Sequence, residues 1–250
     1  MSETKYGIIF RSSDDVDSGK DPYVEKFEKA GINCQVISVL NFEFINLTDL
    51  KSKLSKSELY SGIIFSSPRC VKAVSMAADD ITKWENHRIF VVGEKTGKLV
   101  ETDLGLRTEG GSSGNAKALA EYILKQDINK PLLLPCGNLS RETLSKTLND
   151  GGIKFDRIVV YTTITNPNVE SNIKEVFDKL KIRYILYFSP SAVNVTFPIF
   201  TKLGLDLDLI KWAAIGPTTE SELLKHSVQV TIVAESPTPE HFAAALERSL

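Results

Sequence analysis

Residues 63–69 read Ile63-Ile-Phe-Ser-Ser-Pro-Arg69, and residues 186–191 read Leu186-Tyr-Phe-Ser-Pro-Ser191. Each stretch is a short apolar run that reaches Phe-Ser and then carries a Ser-Pro step. An unbroken apolar run of this length is typical of a strand covered on both faces. Serine followed by proline is typical of the first turn of a helix. Both stretches therefore predict a strand that passes directly into a helix.

The two stretches open longer repeats. Gly93 follows Ser67 by 26 positions, and Gly216 follows Ser189 by 27. Each glycine closes a further apolar run, and a threonine stands three residues after each of them. Self-similarity of this kind indicates that one supersecondary unit occurs twice in the chain.

A second, weaker repeat pairs Ile8-Ile-Phe10 with Leu132-Leu-Leu134. The chain then reads A-B-A′-B′, which predicts one contiguous domain and one discontinuous domain. Two strand-like connectors would form a hinge, and a ligand would bind in the cleft between the domains. The predicted bounds are 44–160 for the contiguous domain, 1–38 plus 168–250 for the discontinuous domain, and 39–43 and 161–167 for the linker strands.

Apolar runs and segments of helical period alternate along the whole chain, which predicts α/β domains with parallel sheets. The predicted strands are Gly7–Phe10, Gln35–Leu40, Gly62–Phe65, Arg88–Val92, Leu132–Leu134, Arg157–Thr163, Tyr184–Phe188, Lys211–Ile215 and Val228–Val233. The predicted helices include Pro22–Ala30, Val71–Ala78, Lys95–Asp103, Ala116–Lys125, Arg141–Asp150, Val193–Leu203, Thr218–Lys225 and Glu240–Leu250.

Composition narrows the classes of function. The net charge of −2 gives no broad basic surface, so we expect no nucleic-acid partner. We also expect a cytosolic protein with no membrane segment, because no apolar run approaches the roughly 20 residues of a membrane helix and no signal-type leader opens the chain. Cys34, Cys70 and Cys136 match no zinc or disulfide spacing. Each is expected to lie in or beside a core as a small hydrophobe, in a reducing compartment.

Short polar loops follow several predicted strands, where open α/β sheets place their ligands. A loop that passes straight into a helix offers free backbone N–H groups and a helix dipole to an anion. The alternative for each loop is plain helix capping by a serine or threonine. The loops are Ser66-Ser-Pro-Arg69, Gly93 to Thr96, Pro135-Cys-Gly-Asn138, Ser189-Pro-Ser191, Gly216-Pro-Thr-Thr219 and Glu235-Ser-Pro-Thr238.

Common catalytic motifs are missing from the sequence. The three histidines have no ligand-spaced partners, and the chain has no nucleophile elbow, P-loop or GxGxxG after a strand. We therefore expect no metal and no cofactor, and a reaction for which positioning and one weak acid suffice. Tyr161, at the end of a predicted strand, is the candidate acid. The alternative is that its ring only packs against the core.

Several motifs resemble the eukaryotic type of uroporphyrinogen-III synthase, in order and over almost the whole chain. Ile-Gly-Pro-Thr-Thr at 215–219 and Glu-Ser-Pro-Thr-Pro at 235–239 are together the most specific. Two features depart from the family pattern: Ser66 stands where relatives often have threonine, and Glu94-Lys95 is less typical. The further matches are Ile64-Phe-Ser-Ser-Pro-Arg69, Val91-Val-Gly93 with Thr96, Glu109-Gly with Gly114-Asn115-Ala116, Leu134-Pro-Cys-Gly-Asn138, Val160-Tyr161, Phe188-Ser-Pro-Ser191, Asp21-Pro-Tyr23, and Val39-Leu40 with Phe42-Glu-Phe44.

The resemblance implies two flavodoxin-like domains joined by a two-stranded linker. It implies that hydroxymethylbilane, a linear tetrapyrrole with eight carboxylates, closes to uroporphyrinogen III and water while ring D is inverted. Tyr161 matches the family's proposed proton donor. The residues that match the substrate cleft are Ser67, Thr96, Asn138, Ser189 and Thr219, and the same loops add Gly137, Ser191, Gly216 and Thr218 as candidate binding residues.

The resemblance also implies a monomer that makes transient contact with the enzymes before and after it in the pathway. Two alternatives remain at this stage. The chain could be a non-catalytic two-domain protein that binds a small molecule, or a regulatory protein with a synthase-like fold. The retention of Tyr161 and of the Thr218–Thr219 pair favours the enzyme.

Overall fold

The computed structural model describes residues 4–12, 21–140 and 142–249. The predicted helices Arg141–Asp150 and Glu240–Leu250 begin and end, respectively, on residues outside this part of the chain. The structure divides into two compact units. Unit 1 comprises residues 1–41 and 164–250, and unit 2 comprises residues 42–163.

All nine predicted strands are present, and several are longer than the sequence indicated. The longest, β2 and β6, each continue past a boundary between the units. Within the described residues the strands are β1 (Lys5–Ser12), β2 (Ile32–Phe44), β3 (Gly62–Phe65), β4 (Arg88–Val91), β5 (Leu132–Gly137), β6 (Phe155–Thr165), β7 (Ile182–Tyr187), β8 (Lys211–Ala214) and β9 (Val230–Val233).

The predicted helices are present as well, and α2 and α7 are helices that the sequence analysis did not name. Both α3 and α8 begin earlier than predicted, at the proline of the Ser-Pro step, because the fixed φ of proline suits the first helical position. The helices are α1 (Pro22–Lys29), α2 (Leu47–Leu54), α3 (Pro68–Ala77), α4 (Glu94–Leu104), α5 (Ala116–Ile123), α6 (Thr143–Asp150), α7 (Val169–Lys179), α8 (Pro190–Leu203), α9 (Pro217–Lys225) and α10 (Pro239–Glu247).

Unit 1 contains five parallel strands in the order β2-β1-β7-β8-β9. Renumbered within the unit, this order is 2-1-3-4-5, which is that of a flavodoxin-like sheet. Unit 2 contains parallel strands in the order β4-β3-β5-β6, which is the 2-1-3-4 part of the same pattern. The predicted α/β class with parallel sheets is confirmed.

Each sheet buries both of its faces. In β3, Ile63 and Phe65 pack into one hydrophobic cluster while Ile64 packs into another. In β1, Ile8 and Phe10 likewise pack apart from Ile9. Successive side chains of a strand point to opposite faces, so two clusters per unit correspond to the two layers of helices on its sheet. This burial explains the unbroken apolar runs in the sequence.

Candidate active site

The strand order of unit 2 reverses between β3 and β5. Ligands of open α/β sheets bind outside the carboxyl ends of the strands at such a switch point. Ser67 follows β3 and Asn138 follows β5, while Tyr161 lies in β6 next to β5. Three residues singled out in the sequence therefore lie where the topology predicts a ligand site.

Ser67 caps α3 and also faces Tyr161. Its backbone is extended, and its hydroxyl accepts a hydrogen bond from the N–H of Cys70 at 3.4 Å. The same Oγ lies 3.5 Å from the phenolic Oη of Tyr161. Ser67 thus caps the helix, as the capping alternative predicts, and its hydroxyl also contacts Tyr161, the candidate acid.

Gly137 makes room for the ring of Tyr161. The two residues pair across β5 and β6 just after an irregularity between Cys136 and Gly137. A Cβ atom at position 137 would lie 2.5 Å from Cζ and 2.7 Å from Oη of Tyr161. Since real Cβ contacts are not this short, only glycine admits the phenol in this position. Tyr161 is 9 % exposed.

Asn138 fixes the backbone on either side of this contact. Its own N–H donates to the carbonyl of Tyr161 at 3.1 Å, and its Oδ1 accepts from the N–H of Thr163 at 3.1 Å. The side chain of Asn138 thus replaces a strand partner for β6 beyond the end of β5. Among the predicted site residues, the structure brings Ser67, Gly137, Asn138 and Tyr161 together.

Thr96 lies at the start of α4, after the edge strand β4, and is 3 % exposed. Its hydroxyl therefore faces the interior. Gly93, the N-cap of α4, has no side chain to cap the helix, and a Cβ there would meet no atom of the described residues within 4 Å. The open part of this loop is its backbone, not the threonine side chain.

Unit 1 carries the second copy of these loops at the carboxyl ends of β7 and β8. Ser189 caps α8 by accepting from the N–H of Ala192 at 3.3 Å, and its Oγ lies 3.0 Å from Oγ of the exposed Ser191. Both serines belong to one predicted loop, and their hydroxyls lie within hydrogen-bonding distance of each other.

The neighbouring loop of unit 1 repeats the pattern seen at Thr96. Gly216 is the N-cap of α9, and a Cβ added to it would have no described atom within 4 Å. Thr219 is 3 % exposed, whereas Thr218 is exposed. The open groups of this loop are therefore the backbone of Gly216 and the hydroxyl of Thr218.

Sequence comparison decides the family. The family model described as uroporphyrinogen-III synthase HemD matches residues 21–244. The chain belongs to the uroporphyrinogen-III synthase family.

Two curated uroporphyrinogen-III synthases are relatives of the chain. That of Schizosaccharomyces pombe is 30% identical over 240 residues, which cover 90% of this chain and 91% of the relative. That of Saccharomyces cerevisiae is 26% identical over 209 residues, which cover 74% of each chain. The resemblance to the eukaryotic type of this family is thereby confirmed.

Two solved bacterial structures share the fold of this uroporphyrinogen-III synthase family member. The synthetase of Helicobacter pylori superposes with a TM-score of 0.59 at 17% identity and covers 97% of both chains. A mutant synthase of Thermus thermophilus gives a TM-score of 0.55 at 15% identity, over 97% of this chain and 99% of that one. At such identities these structures support the fold alone.

Two side chains near Tyr161 were missed as site residues by the sequence analysis of this synthase family member. The guanidinium carbon of Arg69 lies 3.3 Å from the ring centroid of Phe42 and 5.4 Å from that of Tyr161. The rings of Phe42 and Tyr161 meet edge to face at 6.2 Å. One signal was available: Arg69 occupies the repeat position at which the second copy has Ser191.

Cys70, directly beneath Ser67, is a structural thiol. It is fully buried, and its Sγ donates to the carbonyl of Pro135 at 3.1 Å. Burial raises the pKa of the Cys70 thiol, which opposes formation of a nucleophilic thiolate. Cys136 is buried too and Cys34 is partly buried, so the expectation that the cysteines pack as small hydrophobes is confirmed.

The switch point of unit 1 lies between β1 and β7, and the charge of Arg11 there is balanced by Asp21. Arg11 forms a buried ion pair with Asp21, the N-cap of α1. The guanidinium carbon of Arg11 also lies 4.9 Å from the ring centroid of Phe188 and 5.4 Å from that of Tyr23. The hydroxyl of Tyr23 donates to the carbonyl of Pro237 at 2.8 Å, so this cluster ties three loops together.

Within residues 4–12, 21–140 and 142–249, no helix is both long and apolar enough to cross a membrane. In the same residues, no three histidine, cysteine, aspartate or glutamate side chains come together as a metal-binding group.

Proposed function

We propose that the chain is an active uroporphyrinogen-III synthase of haem and other tetrapyrrole biosynthesis. It would act as a carbon–oxygen lyase that converts hydroxymethylbilane into uroporphyrinogen III and water. The observation that carries the proposal is the phenol of Tyr161, held 3.5 Å from the Ser67 hydroxyl and packed over Gly137 at the switch point of unit 2. Membership of the synthase family supports the choice of substrate.

In the first step the hydroxyl on the ring A methylene leaves as water. The lone pair of the ring A nitrogen drives it out and becomes part of an azafulvene cation. Tyr161 gives its proton to the departing oxygen and is left as a phenolate. A tyrosine suffices as the acid because the pyrrole itself supplies the driving electrons.

In the second step the substituted carbon of ring D attacks the azafulvene and forms a spiro-pyrrolenine. The original bond from that carbon to the methylene of ring C then breaks, and this methylene bonds to the other α-carbon of ring D, so the ring is turned round. The proton released when ring D becomes aromatic again balances the one that Tyr161 gave up. The net change is the loss of one water molecule, with no external oxidant, reductant or base.

We propose that the carboxylates of the substrate bind to backbone N–H groups at the starts of helices. The helices that begin at loops with candidate binding residues are α3, α4, α8 and α9. At Gly93 and Gly216 a ligand can approach the backbone closely because no side chain covers it. The exposed hydroxyls of Ser191 and Thr218 would add contacts, while Thr96 and Thr219 shape the helix starts from inside.

Such a site needs only a small energetic advantage. It must bind the transition state for closure at the substituted carbon more tightly than that for closure at the free carbon. Each ~1.4 kcal/mol of difference changes the isomer ratio by a factor of about ten. Hydrogen bonds to eight carboxylates can supply this difference without any strong acid.

We further propose that the enzyme acts as a monomer in the cytosol and makes only transient contact with its pathway neighbours. The three free cysteines support a reducing compartment. Gel filtration of the purified chain, alone and with the preceding enzyme, tests the oligomeric part of this proposal.

The function is tested with freshly prepared hydroxymethylbilane, followed by oxidation and isomer analysis of the porphyrins. We expect the type III isomer at a rate far above that of spontaneous closure. Formation of the type I isomer alone, at the spontaneous rate, would overturn the proposal and favour a non-catalytic binding protein.

The role of Tyr161 is tested with Tyr161→Phe. We expect turnover to fall by roughly tenfold to a hundredfold, at the lower end of the range for general acids because the pyrrole assists. The matched control is Tyr122→Phe in the same unit. It removes a phenolic hydroxyl that donates a hydrogen bond to Glu109 at 3.0 Å. Equal rates in both variants would remove Tyr161 from the mechanism.

A further inference from the structure

Arg69, Phe42 and Tyr161 form a stack whose members come from three separate parts of unit 2. Phe42 lies near the end of β2, Arg69 in the first turn of α3, and Tyr161 in β6. The guanidinium carbon is 3.3 Å from the Phe42 centroid and 5.4 Å from the Tyr161 centroid. The two rings are inclined at 80° to each other. This is the edge-to-face arrangement that aromatic pairs prefer.

The stack adds a further contact to the ring of Tyr161. Gly137 supports the phenol where the backbone of β5 comes close, and Ser67 contacts its oxygen. Phe42 also contacts the ring edge to face, and the guanidinium carbon of Arg69 lies over the ring of Phe42. A guanidinium is suited to this place because it stays charged and stacks on aromatic faces.

We propose that Arg69 is a positioning residue for Tyr161. Through Phe42 it holds the phenol in its proton-donating orientation, and its positive charge stabilises the negative charge left on Tyr161 after proton transfer. The inference rests on the proposed function, because it presupposes that Tyr161 donates a proton during turnover.

The two copies of the repeat support a role specific to unit 2. At the position of Arg69 the second copy has Ser191, whose hydroxyl contacts Ser189. The arginine at the switch point of unit 1, Arg11, is held by Asp21 in a buried ion pair. An arginine stacked toward a candidate acid is therefore not a general requirement of this loop.

The test uses Arg69→Met and Arg69→Lys in the full-length chain, with kcat and KM measured on hydroxymethylbilane. We expect Arg69→Met to lower kcat by about tenfold with KM changed less than about twofold, since the transition state loses support and the ground state does not. Arg69→Lys keeps a cation over the rings and should stay within about threefold of the wild type. A Lys variant as slow as the Met variant would refute the role of the charge.

Coupling to Tyr161 is measured with the double variant Arg69→Met/Tyr161→Phe. If Arg69 acts through the phenol, the double variant is no slower than Tyr161→Phe alone. Losses that multiply, or an effect of Arg69→Met confined to KM, would overturn the proposal. The control is Arg107→Met, which removes an exposed arginine of the same unit and should leave kcat and KM unchanged.

A readout that needs no turnover separates this inference from the proposed function. The contribution of Tyr161 to the near-ultraviolet circular dichroism is the difference between the wild type and Tyr161→Phe. We expect this contribution to shrink in the Arg69→Met background, where the ring loses its support, and to persist in the Arg107→Met background. An undiminished contribution overturns the positioning role even if the chain makes the type III isomer. A wild type that makes only the type I isomer overturns the proposed function instead.

Discussion

The Ser67 loop of unit 2 and the Ser189 loop of unit 1 have nearly the same backbone but different surroundings. The φ and ψ angles are −160° and 158° at Ser67, and −162° and 154° at Ser189. Both serines accept a hydrogen bond from the N–H group three residues later, and proline follows both. The local sequence therefore produces the same helix cap twice.

The two loops differ in the residues that the nearby strands place against the serine. Beside Ser67, β6 supplies Tyr161 and β5 supplies the glycine that admits it, whereas the hydroxyl of Ser189 meets that of Ser191. The repeated loop therefore provides the same helix cap in both units. The candidate proton donor is added in one unit alone, by residues distant in sequence.

The largest effect is expected from filling the space that Tyr161 occupies. In Gly137→Ala the new Cβ would lie 2.5 Å from Cζ of the phenol, so the ring must move. We expect kcat to fall by roughly tenfold to a hundredfold, because small displacements of a catalytic group cost this much.

The control for this substitution is Gly111→Ala in the same unit. Its Cβ would be 3.7 Å from the nearest side-chain atom, Cγ2 of Val91, which is ordinary contact. Steady-state kinetics and thermal unfolding of both variants check the prediction. A Gly137→Ala variant with unimpaired kcat would mean that the position of the phenol does not matter.

A smaller effect distinguishes the contribution of each serine to stability from the contribution of Ser67 to kcat. Ser67→Ala and Ser189→Ala each remove one helix cap, so each should lower the free energy of unfolding by about 0.5–1 kcal/mol. Only Ser67→Ala also removes a contact to Tyr161, so we expect it to lower kcat severalfold more than Ser189→Ala does.

Urea denaturation and steady-state kinetics on the two serine variants make this test. If both variants lost kcat equally, the two loops would be functionally equivalent and the contrast between the units would be wrong. If their stabilities differed strongly, the shared capping geometry would not have the same energetic weight in each unit.

The smallest effect concerns acid stability. Hydrogen bonds from Arg88 hold the pKa of Glu109 in unit 2 below its usual value of 4.5. The unfolded chain therefore takes up this proton at higher pH than the folded one, so the stabilisation is complete above about pH 4.5 and is lost as the pH falls through the folded pKa. Glu109→Gln should make stability depend less steeply on pH in that range.

The control lies in unit 1, where Glu175 forms an exposed ion pair with Lys179 at 2.6 Å. Solvent and salt screen such a pair, so Glu175→Gln should leave the acid limb almost unchanged at physiological ionic strength. Urea midpoints over a pH series distinguish the two variants. Equal slopes for Glu109→Gln and the wild type would contradict the assignment.

Much of the fold could be predicted because the signals are local. The buried strands appear as apolar runs, and the Ser-Pro steps mark the starts of α3 and α8. The start of α2 is less easily predicted, since its N-cap, Asn46, adopts a left-handed conformation with φ of 55°. Its side chain donates to the carbonyl of Val159 in β6, more than a hundred residues away in sequence.

The candidate site was predicted in part for the same reason. Ser67, Asn138 and Tyr161 could be proposed because each stands near the carboxyl end of a predicted strand or in the loop after it. Arg69 and Phe42 could not be assigned a role, since their stacking depends on α3 and β2 meeting β6. The glycine at 137 looked like one more loop residue until its partner across the sheet was known.

By itself, the sequence determined the alternation of strands and helices, the duplicated loops and the caps, because these depend on residues a few positions apart. Tertiary structure alone decided which of two equal loops faces a phenol, which thiol is buried beneath it, and which arginine stacks on the rings. These outcomes depend on the order of parallel strands, which brings the carboxyl ends of β3 and β5 beside the middle of β6, from distant parts of the chain.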